Sequence, residues 1–313
     1  MRFFASISYN GSGLSGWQIQ DNAPSVQDEI QKAVSAVLGE KISVVGAGRT
    51  DAGVHASDFT AHFDSDSLCL LEDPAHVIYK INAILPKNIV FRNITRVRDD
   101  AHARFDADSR TYRYYIHGKK DPFVQDFSWY CKYPLDVEAM NRSAALLLGQ
   151  HDFSCFEKTG SAASSPLCEV TAAGWSRWTP AIAPMPDIEP LPSATVASGI
   201  DPSGTTLSGT TPSGLTPSDF TPSGFTPISG TIPGAAPDAF PSYLVFTITA
   251  NRFLRNMVRA IVGTLVEVGR GRHEPEWVLD VMASRDRCRA GQSVPGHALF
   301  LTRVHYPDDV YRL

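Results

Sequence analysis

The sequence predicts an α+β protein built as two similar halves, each a mostly antiparallel sheet flanked by helices. Three observations carry this. Apolar residues fill 43% of the 313 positions, enough to bury one large or two ordinary cores. Period-two runs alternate with runs of helical period, as half-buried strands and amphipathic helices do. The order of these runs also repeats: strands, a long helix, then further strands, once before residues 100–108 and once after them.

In chain order the elements are as follows. Residues 2–9 alternate as a strand. Val26 to Leu38 reads as a helix, because Val26, Ile30, Val34, Val37 and Leu38 share one face. Ser25 and Asp28 resemble a capping box at its start, and Gly39 ends it. Strands are expected at 42–45, 58–64, 89–98 and 110–117. A second helix runs from Val137 to Leu148, capped by Asp136 and stopped by Gly149. Strands follow at 168–178 and 242–250. A third helix spans Leu254 to Val268, with Met257, Ile261, Leu265 and Val268 facing a core, and a fourth lies near Pro275 to Ala283. A strand at 298–306 closes the chain. The division is 1–105 for the first half and 106–313 for the second.

Residues 179–241 are a different material, interrupting the second half between two strands that would form a hairpin with a very long tip. They hold a tandem pentapeptide, with units such as Asp201-Pro-Ser-Gly-Thr, Thr211-Pro-Ser-Gly-Leu and Thr221-Pro-Ser-Gly-Phe. Proline removes amide donors and glycine adds chain entropy, so the repeat builds neither a helix nor a central strand. Its few large apolar groups do not offset the cost of ordering, and a disordered insert in a surface loop is expected. A proline-rich ligand for a partner is the functional alternative, without a clear PxxP pattern or basic anchor to support it.

This segment also explains the net charge of −5, which looks wrong for a nucleic-acid binder. It contains no Lys or Arg and five acids. Without it the chain carries 28 basic and 28 acidic residues. Local potential decides binding, so charge neither demands nor forbids RNA. Five dispersed cysteines, at 69, 131, 155, 168 and 288, argue against a disulfide framework and a CxxC zinc site. No apolar run is long enough to span a bilayer, and the alternating N-terminus is not a secretory signal. A cytoplasmic protein with reduced thiols is expected.

The most specific stretch is Gly46-Ala-Gly-Arg-Thr-Asp-Ala-Gly-Val-His-Ala56. Three glycines allow unusual backbone angles, and between them stand one cation, Arg49, and one carboxylate, Asp51. On its own it is either a site or a Gly-rich turn with an Asp capping an amide. Further blocks sit around it: Tyr9-Asn10-Gly11 with Gly16-Trp17-Gln18; His102-Ala-Arg-Phe105 with Arg110-Thr-Tyr-Arg-Tyr114; His151-Asp-Phe-Ser-Cys-Phe156; Asn251-Arg-Phe-Leu-Arg-Asn-Met-Val-Arg259; and Gly296, Leu299 and the run to Tyr306-Pro307. Together and in this order the blocks resemble the tRNA pseudouridine synthases of the TruA type. The match covers nearly the whole chain outside the insert. Where the family usually has Asp, this chain has Asn10.

The resemblance implies a pseudouridine synthase-like fold. It implies that Asp51 is the nucleophile, that Arg259 pairs with it, and that the Tyr112 ring packs against the target uracil. Arg49 and His55 are candidate substrate-binding residues beside Asp51, His55 as a hydrogen-bonded positioning residue more than a general base. Arg104, Arg110, Arg113, Arg252 and Arg255 are candidates for phosphate contacts. The resemblance further implies uridines 38 to 40 of the tRNA anticodon stem-loop as substrate, a homodimer with RNA across both subunits, no membrane and no cofactor. The chain has no GKS or GKT phosphate loop, no metal-spaced Cys/His cluster and no GxSxG elbow. Two other readings stand beside this one: a tRNA-binding chaperone without catalysis, and a hydrolase of N-glycosidic bonds.

Overall fold

A computed structural model describes residues 1–158, 160, 165–180 and 243–312. The Thr/Pro/Ser/Gly segment expected at 179–241 lies, apart from its first two residues, outside the described residues.

From the N-terminus, β1 (Arg2–Tyr9) leads to α1 (Val26–Leu38). The Ser25 hydroxyl accepts the Asp28 N–H at 3.3 Å, and Gly39 ends the helix in the left-handed region at φ 68°. Then come β2 (Val45–Gly46), β3 (His55–Asp64), α2 (Cys69–Glu72), α3 (Pro74–Ile84) and β4 (Ile89–Val97). Next come β5 (Ser109–His117), β6 (Trp129–Tyr130), α4 (Val137–Ala145) and β7 (Gly149–Asp152). The chain continues with β8 (Leu167–Arg177), β9 (Tyr243–Ala250), α5 (Met257–Gly269), α6 (Trp277–Ser284) and β10 (Leu299–His305).

The ten strands of the described residues belong to one sheet, in the order β4-β1-β3-β10-β5-β9-β8-β7, with β2 added to β3 and β6 to β5. The pairings are antiparallel except β3 with β10 and β5 with β6, so the expected α+β class holds. The β3–β10 contact is short, Phe300 opposite His55 and Leu301 opposite Ala56. It is the seam between two apolar cores. The first packs Phe3, Ile7, Phe59, Phe63 and Phe91 against Ile30 and Val34 of α1 and Val77 and Ile81 of α3. The second packs Tyr114, Trp175, Phe246 and Ile248 against Met140 of α4 and Ile261 and Leu265 of α5. β10 serves both: Leu299 lies in the second core, Leu301 and Val304 in the first.

Three local differences from the sequence reading have physical causes. α3 lies where the periodicity marks no helix, because it buries only Val77 and Ile81 while Tyr79 and Ile84 stand exposed. Its start was nonetheless written in the chain, with Pro74 at the first turn and Asp73 accepting the His76 N–H at 3.0 Å. The strand expected at 42–45 shrinks to Val45–Gly46. Side chains of α1 take the backbone bonds a ladder would have made. Ser35 accepts the Ile42 N–H at 3.0 Å, Gln31 accepts the Val44 N–H at 3.2 Å, and Gln27 donates to the Val44 carbonyl at 2.7 Å. The third helix begins at Met257 rather than Leu254, because Asn256 adopts a left-handed conformation at φ 68°.

Candidate active site

The loop from Ala47 to Val54 joins β2 to β3 and is clamped from several sides. The Val54 N–H donates to the Asp51 carbonyl at 3.2 Å, closing a turn around the Asp. The Trp17 N–H donates to the Thr50 carbonyl at 3.2 Å, and the Tyr9 and Thr50 hydroxyls bond at 2.9 Å. Two glycines of the opening segment let this happen. A Cβ on Gly16 would lie 2.3 Å from the Thr50 oxygen, and one on Gly11 would lie 2.1 Å from the Val54 oxygen. The Tyr9–Gly11 and Gly16–Gln18 blocks therefore accompany the Gly46–Ala56 block because they are its packing partner.

His55 sits behind this loop, fully buried. Its Nδ1 accepts the Gly11 N–H at 3.0 Å, and its Nε2 lies 2.8 Å from the His297 carbonyl. A carbonyl only accepts, so Nε2 carries the proton and the ring is neutral. Burial lowers its pKa, opposed in part by the His297 bond. Both ring nitrogens are bonded to backbone, the arrangement expected of a hydrogen-bonded positioning residue beside Asp51, and they tie the loop to Gly11 and His297.

Asp51 meets the N-terminal end of α5. Its Oδ1 lies 3.5 Å from Arg255 Nε and its Oδ2 lies 3.6 Å from Arg259 Nη1. These are ion pairs without short hydrogen bonds. Arg259 is fixed from behind: its Nε donates to the Val294 carbonyl at 2.7 Å, and the Val294 N–H donates to the Arg259 carbonyl at 3.2 Å. Arg255 has no such anchor, and its side chain is 56% exposed against 23% for Arg259. Lys158 donates its N–H to the Arg255 carbonyl at 3.0 Å, and Asn256 donates to Ser293 at 2.7 Å, which ties the flanking loops to the start of α5.

Tyr112 of β5 lies at the seam and packs against both cores. Its ring meets Phe253 edge-on with centroids 5.0 Å apart. Burial pushes its phenol up to about 12; Arg110 opposes the rise and the Asp51 charge adds to it. It is protonated at neutral pH and is a donor. Tyr114, two residues on, is core, with its hydroxyl on the Pro295 carbonyl at 3.0 Å.

Asp51, Arg49 and Tyr112 all line a cleft of about 1300 Å³. Six arginines line it (49, 104, 110, 252, 255 and 259) against two carboxylates, Asp51 and Glu157. A smaller adjoining hollow of about 550 Å³ adds Lys158 and Arg287. The net negative chain thus carries a cationic groove. Arg49 is exposed at the cleft wall and pairs with no described residue. Two of the phosphate-contact candidates change character. Arg110 spends its guanidinium on the carbonyls of Ala47, Arg104, Ala107 and Asn251, linking the start of the Ala47–Val54 loop to the 104–107 turn and to the end of β9. Arg113 alternates away from Tyr112 and does not line the cleft. Among the described residues no cluster of His, Cys, Asp or Glu is placed to hold a metal ion.

Arg287 and Lys158, and the pairing of Arg255 with Asp51, did not emerge from the sequence. No periodicity marks them, because each enters the cleft from a loop or a helix end.

Comparison with known proteins agrees with this geometry. A family model described as tRNA pseudouridine synthase matches residues 143–307. A protein of Porphyromonas gingivalis named tRNA pseudouridine synthase A is 39% identical over 310 residues, which is 99% of each chain. Its namesake in Parabacteroides distasonis is 38% identical over 310 residues, 99% of this chain and 98% of the relative. A third, from Thermoanaerobacter sp., is 31% identical over 303 residues, 96% of this chain and 97% of the relative. With relatives alike from end to end, the chain belongs to the tRNA pseudouridine synthase family.

Proposed function

We propose that this chain isomerises uridine to pseudouridine in the anticodon stem-loop of tRNA, at positions 38 to 40, with Asp51 as nucleophile. The observation that carries this reading is a carboxylate held between two guanidiniums in a cation-lined cleft that the half-buried Tyr112 ring also lines. The groove suits a polyanion, and the carboxylate that lines it suits attack on a nucleoside. The target base must leave its stack to reach Asp51. Asp51 bonds to the nucleoside, the N1–C1′ bond breaks, the uracil turns, C5 bonds to C1′ as the bond to Asp51 is released, the C5 hydrogen leaves as a proton, and N1 takes one up. Electrons balance within the nucleoside, so the reaction calls for no oxidant, reductant or external energy.

Arg259 holds the carboxylate in place, Tyr112 backs the uracil with its ring, and Arg49 meets the RNA at the cleft wall. The protein acts in the cytoplasm as a homodimer with RNA across both subunits, as the resemblance to the TruA type implies. The test is tritium release from tRNA labelled at C5 of uridine, because forming the new bond expels that hydrogen. Wild-type protein is expected to release tritium and Asp51→Asn to bind tRNA without releasing it. Activity of Asp51→Asn within tenfold of wild type, a loss of about 1.4 kcal/mol or less, would remove the nucleophile assignment. Free uracil in place of pseudouridine would make the protein a glycosidic hydrolase, and binding without release by wild type would make it a chaperone.

A further inference from the structure

Phe105 stands out from the rest of the cleft wall. It is 73% exposed, the most exposed large apolar side chain among the described residues. Water-facing aromatics are common on mobile loops, where they carry no meaning. The turn that presents Phe105 is of the opposite kind.

Every backbone N–H from His102 to Asp106 has a partner. The His102 N–H donates to Asp106 Oδ2 at 2.9 Å, and the Asp106 N–H returns to the His102 carbonyl at 3.0 Å. The Arg104 and Phe105 N–H groups share His102 Nδ1, at 3.1 and 3.3 Å. The Ala103 N–H donates to His62 Nδ1 at 3.1 Å. From outside, Tyr306 donates to the Ala103 carbonyl, Arg110 donates to the Arg104 carbonyl, and Arg98 grips the Asp106 carboxylate at 2.9 Å. The imidazole of His102 backs the Phe105 ring, centroids 4.3 Å apart. The Arg104 guanidinium lies 5.6 Å from that ring's centroid.

A rigid turn thus holds one aromatic face in water, inside the same cationic cleft as Asp51. We infer that Phe105 is a stacking platform for an unpaired base of the bound RNA, a base neighbouring the one isomerised. An exposed ring among arginines suits a nucleic acid better than an apolar protein surface. Each base offers a π-face to the ring while its phosphate meets the cations. Tyr112, deeper at the seam, is left for the target uracil. The inference rests on the proposed activity toward tRNA, and it assigns Phe105 a positioning role outside the chemistry.

The test compares tRNA dissociation constants at fixed salt for wild type, Phe105→Ala, Phe105→Leu and Phe105→Trp, with tritium release measured at saturating tRNA. Stacking requires Phe105→Ala and Phe105→Leu to bind about tenfold or more weakly, while Phe105→Trp stays within about twofold of wild type. Release at saturation is expected to stay within about threefold for all of them, as is the subunit number in solution. Wild-type affinity in Phe105→Leu would reduce the ring to a plain apolar contact and overturn the inference. So would unchanged affinity in Phe105→Ala, or loss of subunit association, which would place Phe105 between copies of the chain. The binding measurements judge this inference even if wild type releases no tritium, an outcome that would instead sink the proposed activity.

Discussion

Two arginines approach Asp51 at nearly equal distance, yet their surroundings make them unequal. Arg259 is mostly shielded and locked on the Val294 carbonyl, so its charge is presented in one geometry. Arg255 is more than half exposed, and an exposed pair of this kind is worth under about 1 kcal/mol. Arg259→Ala is therefore expected to slow single-turnover isomerisation by about 100-fold or more, roughly 2.7 kcal/mol of barrier. Arg255→Ala should cost less than about tenfold in rate and act mainly on tRNA affinity. Single-turnover kinetics on both variants checks the ranking, and equal losses would mean that exposure does not distinguish them.

Among the elements, β8 and β9 bear on the long Thr/Pro/Ser/Gly segment. Their pairing continues to the residues that flank it, with Arg177 opposite Leu244 and the Trp178 N–H on the Tyr243 carbonyl at 3.4 Å. Chain ends that are already neighbours can be joined by a short turn. Closure entropy also grows slowly with loop length, so a shorter connection brings a small gain. Replacing residues 181–239 with a short Gly/Ser turn is expected to leave the melting temperature unchanged or slightly higher and tritium release near wild type. Removing acids without removing any base should also tighten tRNA binding at low salt. A deleted protein that folds and dimerises but no longer modifies tRNA would show the segment to be a working part of the enzyme.

Across the whole molecule, four histidines couple the fold to pH. Nδ1 of His55, His62 and His102 accepts backbone N–H groups, and Nδ1 of His117 meets the Ser128 hydroxyl at 2.8 Å. Burial lowers the pKa of all four, and that of His62 falls to about 4, with Arg2 and His102 adding to the effect. A base whose pKa is lower folded than unfolded binds fewer protons in the native state. Its contribution is complete above pH ~6.5, the unfolded value, and is lost as pH falls toward the folded one. From pH 7.5 to 5 the loss from His62 alone is up to about 2 kcal/mol. Urea unfolding at those two pH values should show the midpoint falling, before most carboxylates titrate. His62→Asn should flatten the dependence, and an unchanged wild-type midpoint would mean the rings are charged in the folded state.

What the sequence determined by itself was local or already assembled as a motif. The Val26–Leu38 helix with its Ser25 cap and Gly39 stop, the alternation of residues 2–9, and the Gly-rich loop presenting Asp51 are set by spacing within one window. The ordered blocks also sufficed to mark the family. The tertiary structure decided what converges. It set β10 between β3 and β5, brought Arg255 and Arg259 to Asp51 from the far end of the chain, turned Arg110 onto four carbonyls, and buried His55 behind the loop. It also separated two similar aromatics, putting Tyr114 in the core and leaving Phe105 in water. Periodicity tells which face of an element is apolar. Which distant element covers that face, and which loop then meets its end, depends on packing between segments that no single window contains.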